Sequence, residues 1–189
     1  NMITVDGKKM GKSLGNFINL EEFFTGSHKK LERAYTPMTI RFFILQAHYR
    51  STIDFSNEAL QAAEKGLTKL TNAIETLDKL SSGESSSYNV DTLEKKCFEA
   101  MNDDFNTPIL IAHLFDGVRI INSINDGKEK ITASDLKKLK KIFKIFACDV
   151  LGLITTKEST KNDLTNEVMT LVLKLRSNAK LTKDFTTAD

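Results

Sequence analysis

Residues 56–80 read SNEALQAAEKGLTKLTNAIETLDKL, and their apolar side chains recur every three or four positions. That spacing puts one stripe on one side of a helix, formed by Leu60, Ala63, Leu67, Leu70, Ile74, Leu77 and Leu80. Polar and charged residues fill the positions between them. Because a helix with a single apolar stripe has to bury it against another element, the stretch predicts one member of a helical bundle.

Stripes with the same period continue towards the C-terminus. They predict helices at residues 93–101, 109–124 and 136–150, and a last helix that begins near Asp163. Serine-rich residues 81–90 are predicted to form a flexible linker, and the polar residues 155–162 a second one. Strands and helices do not alternate along the chain, so the fold class predicted is all-α, an antiparallel helical bundle.

The N-terminal part differs from the bundle. Residues 2–5 (MITV) are β-prone and predict a short strand that ends at Asp6-Gly7. Asn19 is expected to cap a short helix, and Pro37 to lie in the first turn of a second helix whose side chains are apolar nearly all round. The sequence therefore predicts a small strand and loop, followed by short buried helices, before the bundle begins.

Residues 8–20 read KKMGKSLGNFINL and have the composition of a phosphate-binding loop. Lysine ammonium groups supply positive charge, glycines let the backbone come close to an anion, and amides at a following helix start can point at it. A lysine-glycine loop taken alone is commonly a solvated surface turn. The residues that follow it, and a second segment about thirty residues downstream, favour the functional interpretation.

Composition limits the remaining possibilities. The formal net charge of +2 does not by itself indicate a nucleic-acid partner, although residues 128–144 carry seven lysines against two acids. This basic stretch can meet phosphates, but a solubilising outer helix face is the favoured interpretation. Cys97 and Cys148 are far apart in sequence and are expected to be buried thiols, not zinc ligands. No targeting signal or membrane-spanning apolar run is visible, so a reducing, cytoplasmic location is expected.

Four blocks of the sequence resemble cysteinyl-tRNA synthetases, in the order and at about the spacing of that family. They are KMGKSLGN at 9–16, like the KMSKS signature of class I aminoacyl-tRNA synthetases; HYRS with its continuation at 48–60; NDDFNTP at 102–108; and the stretch at 176–189. Together they span nearly the whole chain. Gly11 stands where the family usually has serine, which removes one hydroxyl donor and adds flexibility to the loop. We identify the chain as a member of this family.

The resemblance implies a division of the chain. Residues 1–18 correspond to the end of the catalytic domain with the KMSKS-like loop, and residues 19–55 to a helical stem-contact region. Residues 56–154 correspond to a DALR-type bundle, and residues 155–189 to a linker and the start of a C-terminal helix. The chain is then expected to be the C-terminal half of a longer enzyme. The nucleotide fold with its HIGH motif and its zinc-bound cysteine pocket is expected in the other half, and no metal site in this one.

The family's activity implies ATP, accompanied by magnesium, L-cysteine and tRNA(Cys) as substrates, with cysteinyl-adenylate as the intermediate. Lys12, and secondarily Lys9, are expected to stabilise the departing pyrophosphate as catalytic residues. Met10, Gly11 and Ser13 complete the expected ATP-phosphate set: Met10 anchors the loop by packing, Gly11 with Gly15 permits its closure, and Ser13 can donate a hydrogen bond. This fragment alone is expected to be inactive.

For the RNA, Arg50 is the best candidate for a phosphate contact and His48 a weaker one, since a histidine at a buried helix end is more often structural. Asp104 and Asn106 are interpreted as helix caps, and Asp103 has no assigned role. One alternative is a related ATP-dependent cysteine ligase of the mycothiol-pathway type, with an amine in place of tRNA. Another is a free-standing tRNA-binding helical module.

Overall fold

A computed structural model of the chain describes residues 2–153, 169–174 and 176–177. Its N-terminal part contains a three-stranded sheet with strands β1 (Ile3–Val5), β2 (Lys8–Lys9) and β3 (Ile53–Phe55). The order is β2-β1-β3, with β1 antiparallel to β2 and parallel to β3. The predicted first strand is confirmed. The pairing places Lys8 and Lys9, which the sequence predicted in a loop, in a two-residue strand that leads into the loop.

Helices make up most of the remainder, and the all-α prediction is confirmed. They are α1 (Leu20–Thr25), α2 (Pro37–Leu45), α3 (Asn57–Lys79), α4 (Val90–Asn102), α5 (Thr107–Asn125) and α6 (Ala133–Ile142), with a π-helical continuation at Phe143–Val150. Among the described residues, none of these helices is both long and apolar enough to cross a bilayer. The predicted last helix lies largely outside the described residues, although 169–174 and 176–177 are helical.

Side-chain caps explain where the helices begin. The side-chain oxygens of the N-cap residues accept hydrogen bonds from backbone amides in the first turn, at Asn19, Thr36, Ser56, Asn89, Asn106 and Thr132. At α1 the cap is reciprocal, because Glu22 also accepts the amide of Asn19. Gly26 ends that helix with φ of 70°. The predicted starts at Asn19, Thr36-Pro37 and Ser56 are confirmed.

The stripe of α3 packs into the core. Leu60, Ala63, Leu70 and Leu77 are almost fully buried, while Leu67 and Ile74 are partly buried against the same core. Phe42 of α2 is completely buried. Its ring packs closely against Gly66 of α3, because a Cβ added at that glycine would lie only 3.1 Å from the ring. The ring of Phe115 on α5 lies 6.5 Å from that of Phe42. Phe42 therefore joins three helices.

The serine-rich segment between α3 and α4 is attached to the start of α6. Gly83 and Ser87 donate their amides to the carbonyls of Ile131 and Lys130, and Thr132 donates its amide to the Ser86 hydroxyl. Ser86 also donates to Asp135, and this contact lowers the pKa of that carboxyl. The composition predicted a flexible linker at 81–90, whereas the structure holds residues 83–87 through hydrogen bonds that composition does not reveal.

Lysines of the basic stretch face acidic partners. Lys128, Lys138, Lys140 and Lys144 form ion pairs with Asp126, Asp91, Asp78 and Asp149, respectively. Exposed pairs of this type contribute little stability but lower the local positive charge. The pairing favours the outer-face interpretation of residues 128–144.

The two cysteines occupy different environments. Cys97 is fully buried, and burial raises the pKa of its thiol to about 12. Cys148 is only half-buried, so the prediction of two buried thiols is met fully at Cys97 and in part at Cys148. Both are free thiols. Because the Cys97 thiol stays protonated near neutral pH, it acts as a small apolar core residue.

Candidate phosphate loop and the Asp104 cluster

The candidate phosphate loop begins at Lys9, the last residue of β2, and ends at Asn16, before α1. Lys12–Leu14 form one turn of 3-10 helix, and Lys9, Lys12 and Ser13 are all exposed. Met10 is half-buried against the core and donates its amide to the carbonyl of Ile3. The loop thus presents two ammonium groups and a hydroxyl to solvent from a backbone that is attached to the sheet.

The side chain of Asn16 connects the end of the loop to its beginning. Its side chain is buried, its Oδ1 accepts the amide of Gly11 at 3.0 Å, and its Nδ2 donates to the carbonyl of Lys9 at 2.9 Å. The ammonium nitrogen of Lys12 lies 5.4 Å from the centroid of the Phe17 ring, a cation–π contact at an exposed site. The sequence motif contains Asn16, but neither its two hydrogen bonds nor the contact of Phe17 with Lys12 is visible in the sequence.

The two glycines of the loop differ in their backbone requirements. Gly15 has φ of 65°, a conformation that favours glycine, whereas Gly11 is extended with φ of −167°. A Cβ added at Gly11 would meet only the Leu14 side chain, at 3.6 Å and beyond. A serine at position 11 is therefore compatible with this backbone, and only Gly15 is needed for the turn.

We expect Gly15→Ala to lower the free energy of unfolding by about 1–2 kcal/mol, because alanine resists the left-handed conformation. Gly11→Ser is the matched variant and should stay within about 0.5 kcal/mol of the parent. Urea denaturation of the chain measures both. Equal losses at the two positions would show that the backbone difference between them is not what limits substitution.

A concavity of about 480 Å³ borders the loop. Its lining is mainly apolar and is formed by Met2, Ile3, Met10 and Phe17, together with Lys9. Within the described residues, no group of three or more His, Cys, Asp or Glu side chains is arranged as a metal site would require.

A second polar group, the Asp104 cluster, joins the end of α2 to the turn between α4 and α5. Tyr49 Oη donates to Asp104 Oδ1 at 2.8 Å, and Arg50 Nη2 lies 3.0 Å from Asp104 Oδ2. Arg50 Nε donates to Tyr49 Oη at 3.0 Å, and the His48 ring stacks on that of Tyr49. The hydrogen bond with Tyr49, followed by the charge of Asp104, raises the pKa of the Arg50 guanidinium.

This cluster corrects the interpretation of Asp104. Asn106 does cap α5, but Asp104 is not a cap: it has φ of 52° and its carboxylate faces Tyr49 and Arg50. Asp103, to which the sequence assigned no role, accepts a hydrogen bond from the side-chain nitrogen of Asn106. Among the described residues, no hydrogen bond or ion pair joins Lys9 or Lys12 to His48 or Arg50. The loop and the cluster are separate groups.

Asp104→Ala should lower the free energy of unfolding by about 1–2 kcal/mol, since it removes an ion pair and a hydrogen bond and places alanine in a left-handed backbone. Asp91→Ala is the control, because Asp91 also forms an ion pair but in a regular helix, and should cost less than about 1 kcal/mol. Urea denaturation compares the two. A smaller loss for Asp104→Ala than for the control would contradict the importance given to the cluster.

Two family models match separate parts of the chain. Residues 1–65 match the catalytic domain of class I (C) tRNA synthetases, and residues 97–155 match the DALR domain. Cysteine–tRNA ligases of Bacteroides thetaiotaomicron and Bacteroides fragilis are 58% and 56% identical over the whole chain, and that of Chlorobaculum tepidum is 41% identical. The chain belongs to the cysteine–tRNA ligase family.

Among cysteine–tRNA ligases, the chain spans only part of the length of its relatives. It covers 39% of the two Bacteroides enzymes and 38% of the Chlorobaculum enzyme. The candidate phosphate loop lies inside the catalytic-domain match, and the Asp104 cluster joins that match to the DALR match. Both groups found in the structure therefore occupy defined places in the family's domain organisation.

Proposed function

We propose that this chain supplies the phosphate loop and the RNA-facing helices of an enzyme that joins L-cysteine to tRNA(Cys), with ATP cleaved to AMP and diphosphate. The observation that carries the proposal is the exposed Lys12 on a loop ordered around Asn16, within the part of the chain that matches the class I catalytic domain. Identity of 58% to a cysteine–tRNA ligase supports cysteine as the amino acid.

In the first step, the carboxylate of cysteine attacks the α-phosphorus of ATP. The bond from that phosphorus to the oxygen bridging it to the β-phosphorus breaks, and pyrophosphate leaves with the electron pair. Negative charge grows on the leaving group, and Lys12 and then Lys9 are the cations that stabilise it. Ser13 adds a hydroxyl donor. To reach a phosphate, the Lys12 ammonium leaves the face of Phe17, a weak exposed contact that opposes this movement little.

The second step transfers the cysteinyl group to the terminal ribose of the tRNA. Arg50 is the proposed phosphate contact: its Nε and Nη2 are engaged, while its Nη1 has no partner among the described residues. Tyr49 and Asp104 thus orient the guanidinium and leave one edge for an anion. His48 is the weaker candidate, because it is already positioned against Tyr49 and the Asp104 carbonyl.

The metal ions that the enzyme uses and its location in the cell remain predictions. Magnesium is expected to accompany ATP, and zinc to bind in a part of the enzyme not contained in this sequence. Among the described residues, no group of three or more His, Cys, Asp or Glu side chains is placed to hold a metal ion. A cytoplasmic location without membrane attachment is proposed from the family's role in protein synthesis. None of the relatives described above supports the mycothiol-pathway ligase or the free-standing module.

Cysteine-dependent exchange of pyrophosphate into ATP tests the first step, with the full-length enzyme that carries this sequence. The proposal expects exchange with cysteine and little with serine, the matched amino acid whose hydroxyl replaces the thiol. Exchange that does not depend on cysteine would overturn the proposal.

A further inference from the structure

Asn16 is an unusual residue among the described ones because it is polar, buried and hydrogen-bonded to the main chain of the candidate loop at both Lys9 and Gly11. It is only 6% exposed, and it is the only buried side-chain amide among the described residues. Burying an amide is unfavourable unless its donor and acceptor are both satisfied. In Asn16 both are satisfied, by the amide of Gly11 and the carbonyl of Lys9.

The chemistry of these two contacts fixes the side chain. The Gly11 amide can only donate and the Lys9 carbonyl can only accept, so the oxygen of Asn16 must face Gly11 and its nitrogen must face Lys9. Aspartate has the same shape but no donor for the Lys9 carbonyl. Alanine satisfies neither group. Asparagine is therefore matched to this position in both size and hydrogen bonding.

We propose that Asn16 is the positioning residue of the phosphate loop, holding the backbone between the two lysines in the geometry from which Lys12 meets the leaving pyrophosphate. The inference rests on the proposed function for the role of Lys12. Asn16 does not touch Lys12 itself, whose ammonium lies over Phe17. Its effect runs through the main chain, because the residue that bears the ammonium follows directly after the amide that Asn16 holds.

The closing turn supports the same role. Gly15 has φ of 65° and directly precedes Asn16, so the chain turns back at the point where the side chain must enter the loop. The amide of Gly15 also donates to the carbonyl of Lys12 at 3.2 Å. Loop backbone is thus held at Lys9, Gly11 and Lys12, which reduces the conformational freedom lost when the loop engages a phosphate.

A double-mutant cycle in the full-length enzyme tests the inference. Asn16→Ala and Asn16→Asp are each combined with Lys12→Ala, and cysteine-dependent pyrophosphate exchange is measured. We expect the kcat for exchange to fall roughly tenfold in Asn16→Ala, with the KM for cysteine unchanged. The variant loses the two hydrogen bonds that hold the loop backbone, and a loss of about 1.4 kcal/mol in the transition state lowers the rate about tenfold. In the Lys12→Ala background, the same change should have almost no further effect, because coupled residues are not additive.

Asn19→Ala is the matched control, as it removes an asparagine three positions away that caps α1 and leaves the loop contacts intact. Its exchange kinetics should match the parent. Hydrogen exchange at the Gly11 amide is a second readout, which should lose protection in Asn16→Ala and not in Asn19→Ala, because only the alanine variant of Asn16 removes the acceptor for this amide. Asn16→Asp keeps the side-chain volume, so the test survives if Asn16→Ala fails to fold.

The outcomes separate the two hypotheses. Fully additive losses of Asn16→Ala and Lys12→Ala, or parent-like exchange kinetics in both Asn16 variants, would overturn the positioning role. Parent-like exchange in Lys12→Ala alone would instead overturn the proposed function of the loop, and the positioning role with it. Unchanged protection of the Gly11 amide in Asn16→Ala would overturn the positioning role whatever the activity of Lys12→Ala.

Discussion

Replacing Lys12 by alanine should slow cysteinyl-adenylate formation by well over tenfold. One charge-assisted contact to the departing pyrophosphate is lost, which is worth about 2–3 kcal/mol in the transition state. The measurement is pyrophosphate exchange by the full-length enzyme at saturating ATP and cysteine. The stability of the variant should equal that of the parent, because Lys12 is exposed and forms no ion pair among the described residues.

Lys8→Ala is the matched control for this prediction. Lys8 is also an exposed lysine, four positions away, but it lies in β2, outside the loop held by Asn16. Its removal lowers the same net charge by the same amount. An equal loss of rate in the two variants would show that overall charge, not the position of Lys12, supports the reaction. An unchanged rate in Lys12→Ala would rule out the role given to it.

Replacing Phe42 by alanine should lower the free energy of unfolding by about 3–5 kcal/mol, the range for removing a large buried aromatic side chain. Phe42 is completely buried and lies against Gly66 of α3 and Phe115 of α5. The cavity would open where three helices meet, and glycine at 66 cannot fill it. Urea denaturation of the chain gives the value.

Phe24→Ala provides the comparison, since Phe24 is 39% exposed at the surface of α1. It should cost less than about 1 kcal/mol. If Phe42→Ala cost no more than Phe24→Ala, Phe42 would not be the packing centre that joins α2 to the bundle.

Helices and their caps were predictable because the signals are local. The stripe of α3 and the cap at Ser56 are both contained in the segment that forms the helix, and the same holds for Asn19 with α1. The sheet was only partly predictable. Its strands have two or three residues, and β1 pairs with a strand about fifty positions away, which no local pattern indicates.

The polar groups of the two candidate sites were likewise predictable only where the signal is local in the sequence. Lys9 and Lys12 could be selected from composition and motif, but the role of Asn16 depends on how the loop folds back on itself. Asp104 was interpreted as a cap because acidic residues are common before helices. Its contacts with Tyr49 and Arg50 span more than fifty residues and require the packing of α2 beside the α4–α5 turn.

The most direct test of the account is charging of tRNA with radiolabelled cysteine by the full-length enzyme that carries this sequence, with tRNA(Cys) and one non-cognate tRNA compared. The account predicts ATP-dependent transfer of cysteine to tRNA(Cys) and no transfer to the other tRNA. Transfer of cysteine to a small amine with no charging of tRNA(Cys) would contradict it.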